Sequence, residues 1–231
     1  MKNRHFLLLA LLFLTACKQS IIGEGPLVKQ VRTIGEFNEL ELDMSAKVTF
    51  IVADSFYMGI AAQENLLDNI KTNLQGEKLE ISSRHGFTTN KPIEIIMTLP
   101  SLKAITVNSS GEVIGINTLH GDNLDLKIVG SGDIKLNLDM KKTDIRINGS
   151  GDVKLKGTSL TAITQINGSG NLEAEELITE KTKIAINGSG DAAVHATGKL
   201  NAKIIGSGDI IYSGEPTVIT EITGSGDVKK R

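Results

Sequence analysis

The sequence predicts an all-β protein: a β-solenoid with Gly-Ser-Gly corners roughly every 19 residues, opened by a β-rich N-terminal cap. Three observations carry that prediction. A Ser-Gly motif followed by an acidic or amide residue occurs seven times, as "SSGE" at Ser109, "GSGD" at Gly130 and Gly149, "GSGN" at Gly168, and "GSGD" at Gly188, Gly206 and Gly224. The second glycines, Gly111, Gly132, Gly151, Gly170, Gly190, Gly208 and Gly226, follow one another at a nearly constant step. Two residues before every motif stands a β-branched apolar residue: Val107, Ile128, Ile147, Ile166, Ile186, Ile204 and Ile222. A second apolar column follows each motif (Val113, Ile134, Val153, Leu172, Ala192, Ile210, Val228), with a third two residues on and polar residues often between. Period-two alternation on both sides of a glycine corner describes strand, turn, strand with one face inward. Units of this length cannot close a core alone, so they must stack. A helical hairpin repeat would not be β-branched at period two, and a propeller blade needs roughly 40 residues.

The elements follow in chain order. Residues 1–16 have the layout of a secretory signal: Lys2 and Arg4, then the apolar run "FLLLALLFL" from Phe6 to Leu14, then small residues. That run is too short to cross a bilayer, which takes about 20 apolar residues. "LTAC", Leu14 to Cys17, resembles a bacterial lipobox, which makes Cys17 the lipidation site. Cys17 is the single cysteine of the chain and therefore has no internal disulfide partner. Residues 17–34, with Gly23, Gly25 and Pro26, read as a tether.

Residues 35–104 read as cap and first coils. "KVTFIVADSFYMGIAA" places Val48, Phe50 and Val52 on one face, turns near Asp54 and returns through Tyr57, Gly59 and Ala61. "ENLLDNI" is a short helical candidate, and "NLQGEKLEI" a hairpin around Gln75 to Glu77. Residues 105–231 are the solenoid repeats, whose looser returns hold apolar residues such as Leu160, Leu200 and Val218 and absorb the variation in unit length. The chain ends on Lys229, Lys230 and Arg231, charges suited to blunting the open edge where a further coil would dock; an ordinary solvated tail is the other reading.

At the corners, glycine supplies backbone angles that side-chained residues resist, and stacking leaves little room for a Cβ. The structural turn residues are therefore Gly130, Gly132, Asp133, Gly149, Gly151, Asp152, Gly168, Gly170, Gly188, Gly190, Asp191, Gly206, Gly208, Asp209, Gly224, Gly226 and Asp227. Each aspartate is expected to accept hydrogen bonds from the amides of its own turn. None of the seven copies carries the Lys and Ser/Thr of a phosphate loop. The calcium-binding glycine-aspartate solenoid uses a much shorter, nine-residue repeat, so one carboxylate per coil is a sparse ladder. A cation there is weighed and set aside, and neither metal nor cofactor is expected.

Composition limits the function. Removing the signal leaves 23 basic against 27 acidic residues, a formal charge of -4, with no clustered basic face for nucleic acid. There is no Trp and only 3% aromatic residues, so few platforms exist on which sugars or bases could stack. His85, His120 and His195 lie in unrelated contexts. Asp125, Asp139 and Asp144 are the carboxylates placed to project from a sheet, and nothing ranks them. The expectation is a protein that is not an enzyme.

"GEFNELELDMSAKVTFIVAD", "LPSLKAITVNSSGEV" and the serial "GSGD" corners occur here in one order, over roughly residues 35–228. That arrangement resembles a family of bacterial envelope proteins described as the autotransporter adhesin head, or GIN, domain. The resemblance implies a right-handed β-helix-like superhelix, no catalytic set and a role in adhesion. The reading is thus a lipid-anchored, non-catalytic outer-membrane lipoprotein, surface-exposed or periplasm-facing. It would bind a glycan, a protein or a second copy of itself, with a structural or stress-related envelope role as the alternative and polysaccharide cleavage as a third.

Overall fold

The computed structural model describes residues 20–231, so the signal segment and Cys17 lie outside the described residues. Stacked parallel coils of about 19 residues form a β-solenoid of about seven turns. Its regular body consists of five long strands, β11 (Glu112–Gly130), β12 (Asp133–Gly149), β13 (Val153–Gly168), β14 (Leu172–Gly188) and β15 (Ala192–Gly206). Each pairs in parallel with the next, and corner glycine pairs with corner glycine: Gly130 with Gly149, Gly149 with Gly168, Gly168 with Gly188, Gly188 with Gly206. The shorter β16 (Ile210–Ser213), β17 (Thr217–Gly224) and β18 (Val228–Lys230) complete the C-terminal end.

Within β12 the inward positions are Ile134, Leu136, Leu138, Met140, Thr143, Ile145 and Ile147. Alternation breaks once, at Lys141 and Lys142, where two consecutive side chains face outward and the strand bends. The predicted β-branched column is the centre of the core: Val107, Ile128, Ile147, Ile166, Ile186 and Ile204 are fully buried. Each contributes roughly 1.5–3 kcal/mol of apolar burial. Only the last member, Ile222, is 42% exposed, because no coil covers it.

Length variation is confined to one side of the coil. Register shifts fall between Ile114 and Thr118, between Lys154 and Lys156, and between Ala174 and Ile178 with a smaller one before Lys181. The strand running from the bend into the next corner pairs without a gap throughout the five long strands. The expectation that the return absorbs the variation is therefore corrected: it is absorbed in the strand leaving the corner and at the bend. Leu160 sits at that bend and is 50% exposed, whereas Leu200 is buried.

The N-terminal region supplies earlier coils. Strands β3 (Glu39–Asp43) and β4 (Lys47–Val52) precede β5 (Tyr57–Gln63), a 3-10 helix (Glu64–Asn69), β6 (Ile70–Gln75), β7 (Lys78–Ser83), β8 (Phe87–Thr88), β9 (Glu94–Leu99) and β10 (Ala104–Val107). The order β7-β3-β10-β11 continues one wall of the solenoid, with Ile81, Leu42, Val107 and Ile128 in one row. The order β9-β4-β11 continues the other, with Ile95, Val48 and Val113 in register. Antiparallel β6 and β5 then close the first coil. The hairpin at Gln75 to Glu77 is present, turning on Gly76 at φ 62°.

Two expectations are corrected here. β4 does not return on β5; β9 lies between them, and Met58, Ile60 and Ala62 face the core in place of Tyr57, Gly59 and Ala61. The Tyr57 ring covers Gly59 from outside, so closely that a Cβ there would lie 2.7 Å from its hydroxyl. The described part of the expected tether is not free chain. β1 (Ile21–Ile22) pairs with β8 and β2 (Leu27–Val31) with β5, and Gly25 at φ 84° and Pro26 make the turn between them. Ile21, Val28 and Ile34 pack against the core, which is what holds the segment down.

Candidate binding surfaces

The corner motif is the first place to look for a site, and its geometry is taken up by stacking. An ideal Cβ on Gly149 would lie 2.2 Å from the Gly130 carbonyl oxygen, and one on Gly151 2.1 Å from that of Gly132. The same holds at Gly168, Gly170, Gly188, Gly190, Gly206, Gly208, Gly224 and Gly226, while Gly130 and Gly132 meet the backbone at Ser109 and Gly111. The first glycine of each corner also has a positive φ, between 127° and 138°. From Ser150 onward each corner serine amide donates to the first glycine carbonyl of the coil before, as Ser150 does to Gly130 at 2.9 Å, and Ser131 donates to the Ser109 carbonyl in the equivalent place.

The turn aspartates do something other than expected. Asp133 Oδ1 accepts from the Asp152 amide at 3.2 Å, and Asp152 Oδ1 from the Asn171 amide at 3.0 Å. Asn171 Oδ1 accepts from Asp191, Asp191 from Asp209, and Asp209 from Asp227. The side chains bond the next coil and not their own turn, because the coil spacing brings the equivalent amide within reach of Oδ1. Asp227, with no coil beyond it, turns to the adjacent Val228 amide instead. Together with Lys229, first as a side-chain partner and then the Val228 bond, this holds the Asp227 carboxyl below the usual range. Among the described residues no group of three His, Cys, Asp or Glu gathers to hold a metal.

The two walls carry outward ladders. On the wall entering the corners, Asp125 and Asp144 are register neighbours, as are Lys127 and Arg146, and then Asn148, Asn167 and Asn187. Asn167 Nδ2 donates to Asn148 Oδ1 at 2.8 Å and Asn187 Nδ2 to Asn167 Oδ1 at 3.0 Å, a chain of exposed amides. On the opposite wall Lys135 pairs with Glu112, Lys154 with Glu173 and Lys156 with Glu176.

Of the three carboxylates considered for catalysis, Asp125 and Asp144 stand side by side in register, each held by its own cation, while Asp139 lies apart from them. Asp125 meets Arg146 at 2.8 Å, and Asp144 meets Lys142 at 2.8 Å. Asp139 accepts from Thr158 at 2.8 Å and lies 3.1 Å from His120 Nδ1; these partners lower its pKa, Thr158 most. A general acid at neutral pH needs a shift in the other direction. His85 and His195 take part through their backbones, with Asn69 and Thr179. The terminal cations are not free charges either: Lys229 meets Asp227, Lys230 meets Glu215 and Arg231 meets Glu175.

One concave feature escaped the sequence reading. A groove of about 650 Å3 lies at the cap between β2 and β6, lined by Gln30, Arg32, Asp68, Lys71, Thr72, Asn73, Glu80, Ser82 and Arg84, among others. Arg32 crosses it, donating to the Ile70 and Leu67 carbonyls, Thr72 Oγ1 and Gln30 Oε1. Its cations are spread from residue 32 to residue 84, so no local motif announces them.

Similarity to solved structures agrees with this architecture. A structure from Bacteroides fragilis, described as a "putative adhesin", superposes with a TM-score of 0.84 at 26% identity, covering 92% of this chain and 100% of that one. A "putative adhesin" from Parabacteroides merdae gives 0.75 at 24% identity, covering 92% and 99%. A "Putative lipid binding protein" from Parabacteroides distasonis gives 0.77 at 24%, covering 92% and 100%. No curated protein matches the chain. Residues 36–216 match the family model DUF2807, and the chain belongs to that family, "Putative auto-transporter adhesin, head GIN domain".

Proposed function

We propose that this chain is a non-catalytic adhesin of the cell envelope, anchored through a lipid on Cys17, whose solenoid walls bind a glycan, a protein or a second copy of the chain. The observation that carries the reading is the amide row Asn148, Asn167 and Asn187, which faces outward on the wall entering the corners and is held in register by β12, β13 and β14. A carboxamide has two donor hydrogens and two acceptor lone pairs. At Asn167 the ladder uses one of each, which leaves one donor and one acceptor facing outward at a repeat of roughly 4.8 Å. Such a row recognises repeated hydroxyls or backbone groups by many weak contacts, as a surface built for attachment requires. Membership in an adhesin family supports the same reading.

The test is attachment of cells carrying the full chain to a glycan- or protein-coated surface. Deleting the gene should abolish attachment. Replacing Asn148, Asn167 and Asn187 together by Ala should lower it about tenfold or more while leaving thermal stability nearly intact. Polysaccharide turnover by the purified full chain, or attachment indifferent to the deletion, would sink the proposal. Protease treatment of intact cells separates surface exposure, in which the domain is shaved, from a periplasm-facing position.

A further inference from the structure

The cap groove deepens this reading. We propose that it binds the oxyanion of an acidic saccharide, a carboxylate or sulfate carried on a hydroxyl-rich chain. Arg32, Lys71 and Arg84 line it against Asp68 and Glu80, a local charge of three minus two, or +1, on a chain whose net charge is -2. Among the described residues, none of these five forms an ion pair within 4.0 Å, although fifteen such pairs occur elsewhere. The exposed cations Lys71 and Arg84 are therefore uncommitted.

Arg32 is fixed in advance. A guanidinium has five N–H donors. Four bonds hold it to Ile70, Leu67, Thr72 and Gln30, leaving one Nη2 hydrogen for a ligand. Burial holds its pKa below the ordinary value; Asp68 opposes this and Arg84 adds to it. An anion entering the groove relieves that repulsion between guanidinium groups and pays little ordering entropy at Arg32.

The size and lining select the rest of the ligand. About 650 Å3 is several times what one inorganic anion fills and lies within the range of small-molecule sites. Asn73, Thr72 and Ser82 offer hydrogen bonds of both kinds, and Asp68 and Glu80 accept from hydroxyls but repel a polyanion without them. The alternative occupant, an added β-strand, is disfavoured because Arg32 already takes the Ile70 carbonyl on the β6 edge.

The inference rests on the adhesion reading for its place in the cell, and the experiment keeps the two apart. Binding of the full chain is measured by calorimetry to a heparin hexasaccharide, a hexagalacturonate and neutral maltohexaose, each with and without inorganic sulfate as competitor. The acidic hexamers should bind, weaken with salt and lose affinity to sulfate; maltohexaose should bind at least about tenfold more weakly. Lys71→Glu and Arg84→Glu, both exposed, should each weaken acidic binding about tenfold or more with an unchanged melting temperature. Lys199→Glu, at the bend of β15, should change nothing. Equal binding of acidic and neutral hexamers overturns the proposal, as does affinity indifferent to Lys71→Glu and Arg84→Glu, or binding of an extended peptide in place of any saccharide. Cells that still attach while no hexamer binds would remove the groove and leave the adhesion reading standing.

Discussion

Gly149 and Gly76 both have positive φ, at 137° and 62°, yet they do different work. Around Gly76 nothing lies within 4 Å of an added Cβ, whereas at Gly149 the Gly130 carbonyl stands 2.2 Å away. Gly76→Ala should therefore cost only the left-handed backbone, about 1 kcal/mol. Gly149→Ala adds overlap with the coil below, which cannot move without moving its own neighbours. It should cost about 3 kcal/mol or more and lower Tm by roughly 6–12 °C, measured by thermal melting of both variants. The aspartate ladder makes a subtler prediction. Asp209 Oδ1 holds the Asp227 amide at 2.8 Å, and Asn171 shows that a carboxamide serves the same purpose. Asp209→Asn should keep that bond and relieve repulsion from Asp191 and Asp227, leaving stability equal or higher. Asp209→Ala should lose about 1 kcal/mol in urea denaturation. The places of the corner glycines could be read from the period, and the stacked backbone leaves no room there for a Cβ. The partner of the aspartate could not be read, because the amide it binds lies one whole coil further along the chain and only the stacking distance reveals it.

Strands differ in how many neighbours hold them. Among the described residues, β13 is paired along its length on both sides, while β17 pairs only with β15 and β18 only with β16. Most of β17 is exposed, including Ile219 and Ile222. Amide hydrogen exchange should therefore be slowest in β13 and faster by about a hundredfold or more in β17 and β18. Uniform protection along the rod would contradict the open-end description. At this scale the sequence was readable wherever strands repeat and misleading where they do not. The inward columns of β12 to β15 follow from alternation on either side of a marked corner. In the cap, the inward face of β5 was misread by one residue, since its alternation of Tyr57 to Ala61 with Met58 to Ala62 is symmetrical in pattern. The choice between faces is made by β9, which comes well after it in the chain and inserts beside it. Residues 20–34 were misread because Gly25 and Pro26 look alike in a linker and in a turn between strands.

At the scale of the molecule, the walls and the cap offer different chemistry. The walls present ladders in which most charges are already matched, so their capacity for attachment lies in repetition and in the amide row. The cap, where the period ends, has the groove with uncommitted cations. The walls could be anticipated because each outward residue is placed by its distance from a corner. The groove could not, because it is assembled from β2, the 3-10 helix, β6 and β7, whose meeting depends on how the chain folds back over the first coil. The amide row proposed for attachment and the groove proposed for an acidic saccharide thus lie on separate surfaces, and variants of one serve as an internal control for the other.

The unbroken register between each bend and the next corner has a consequence for inheritance. Every coil offers the same docking face above as below, so duplicating or losing the codons of one unit leaves both ends of the molecule able to join. Each such event changes reach by roughly 4.8 Å without redesigning either the cap or the terminal coil. The coils are unequal in length, and the differences are all absorbed on one side, so the other side keeps the register that a further unit would need. Length is thereby adjustable in whole steps, while the groove at the cap, built outside the repeats, stays as it is.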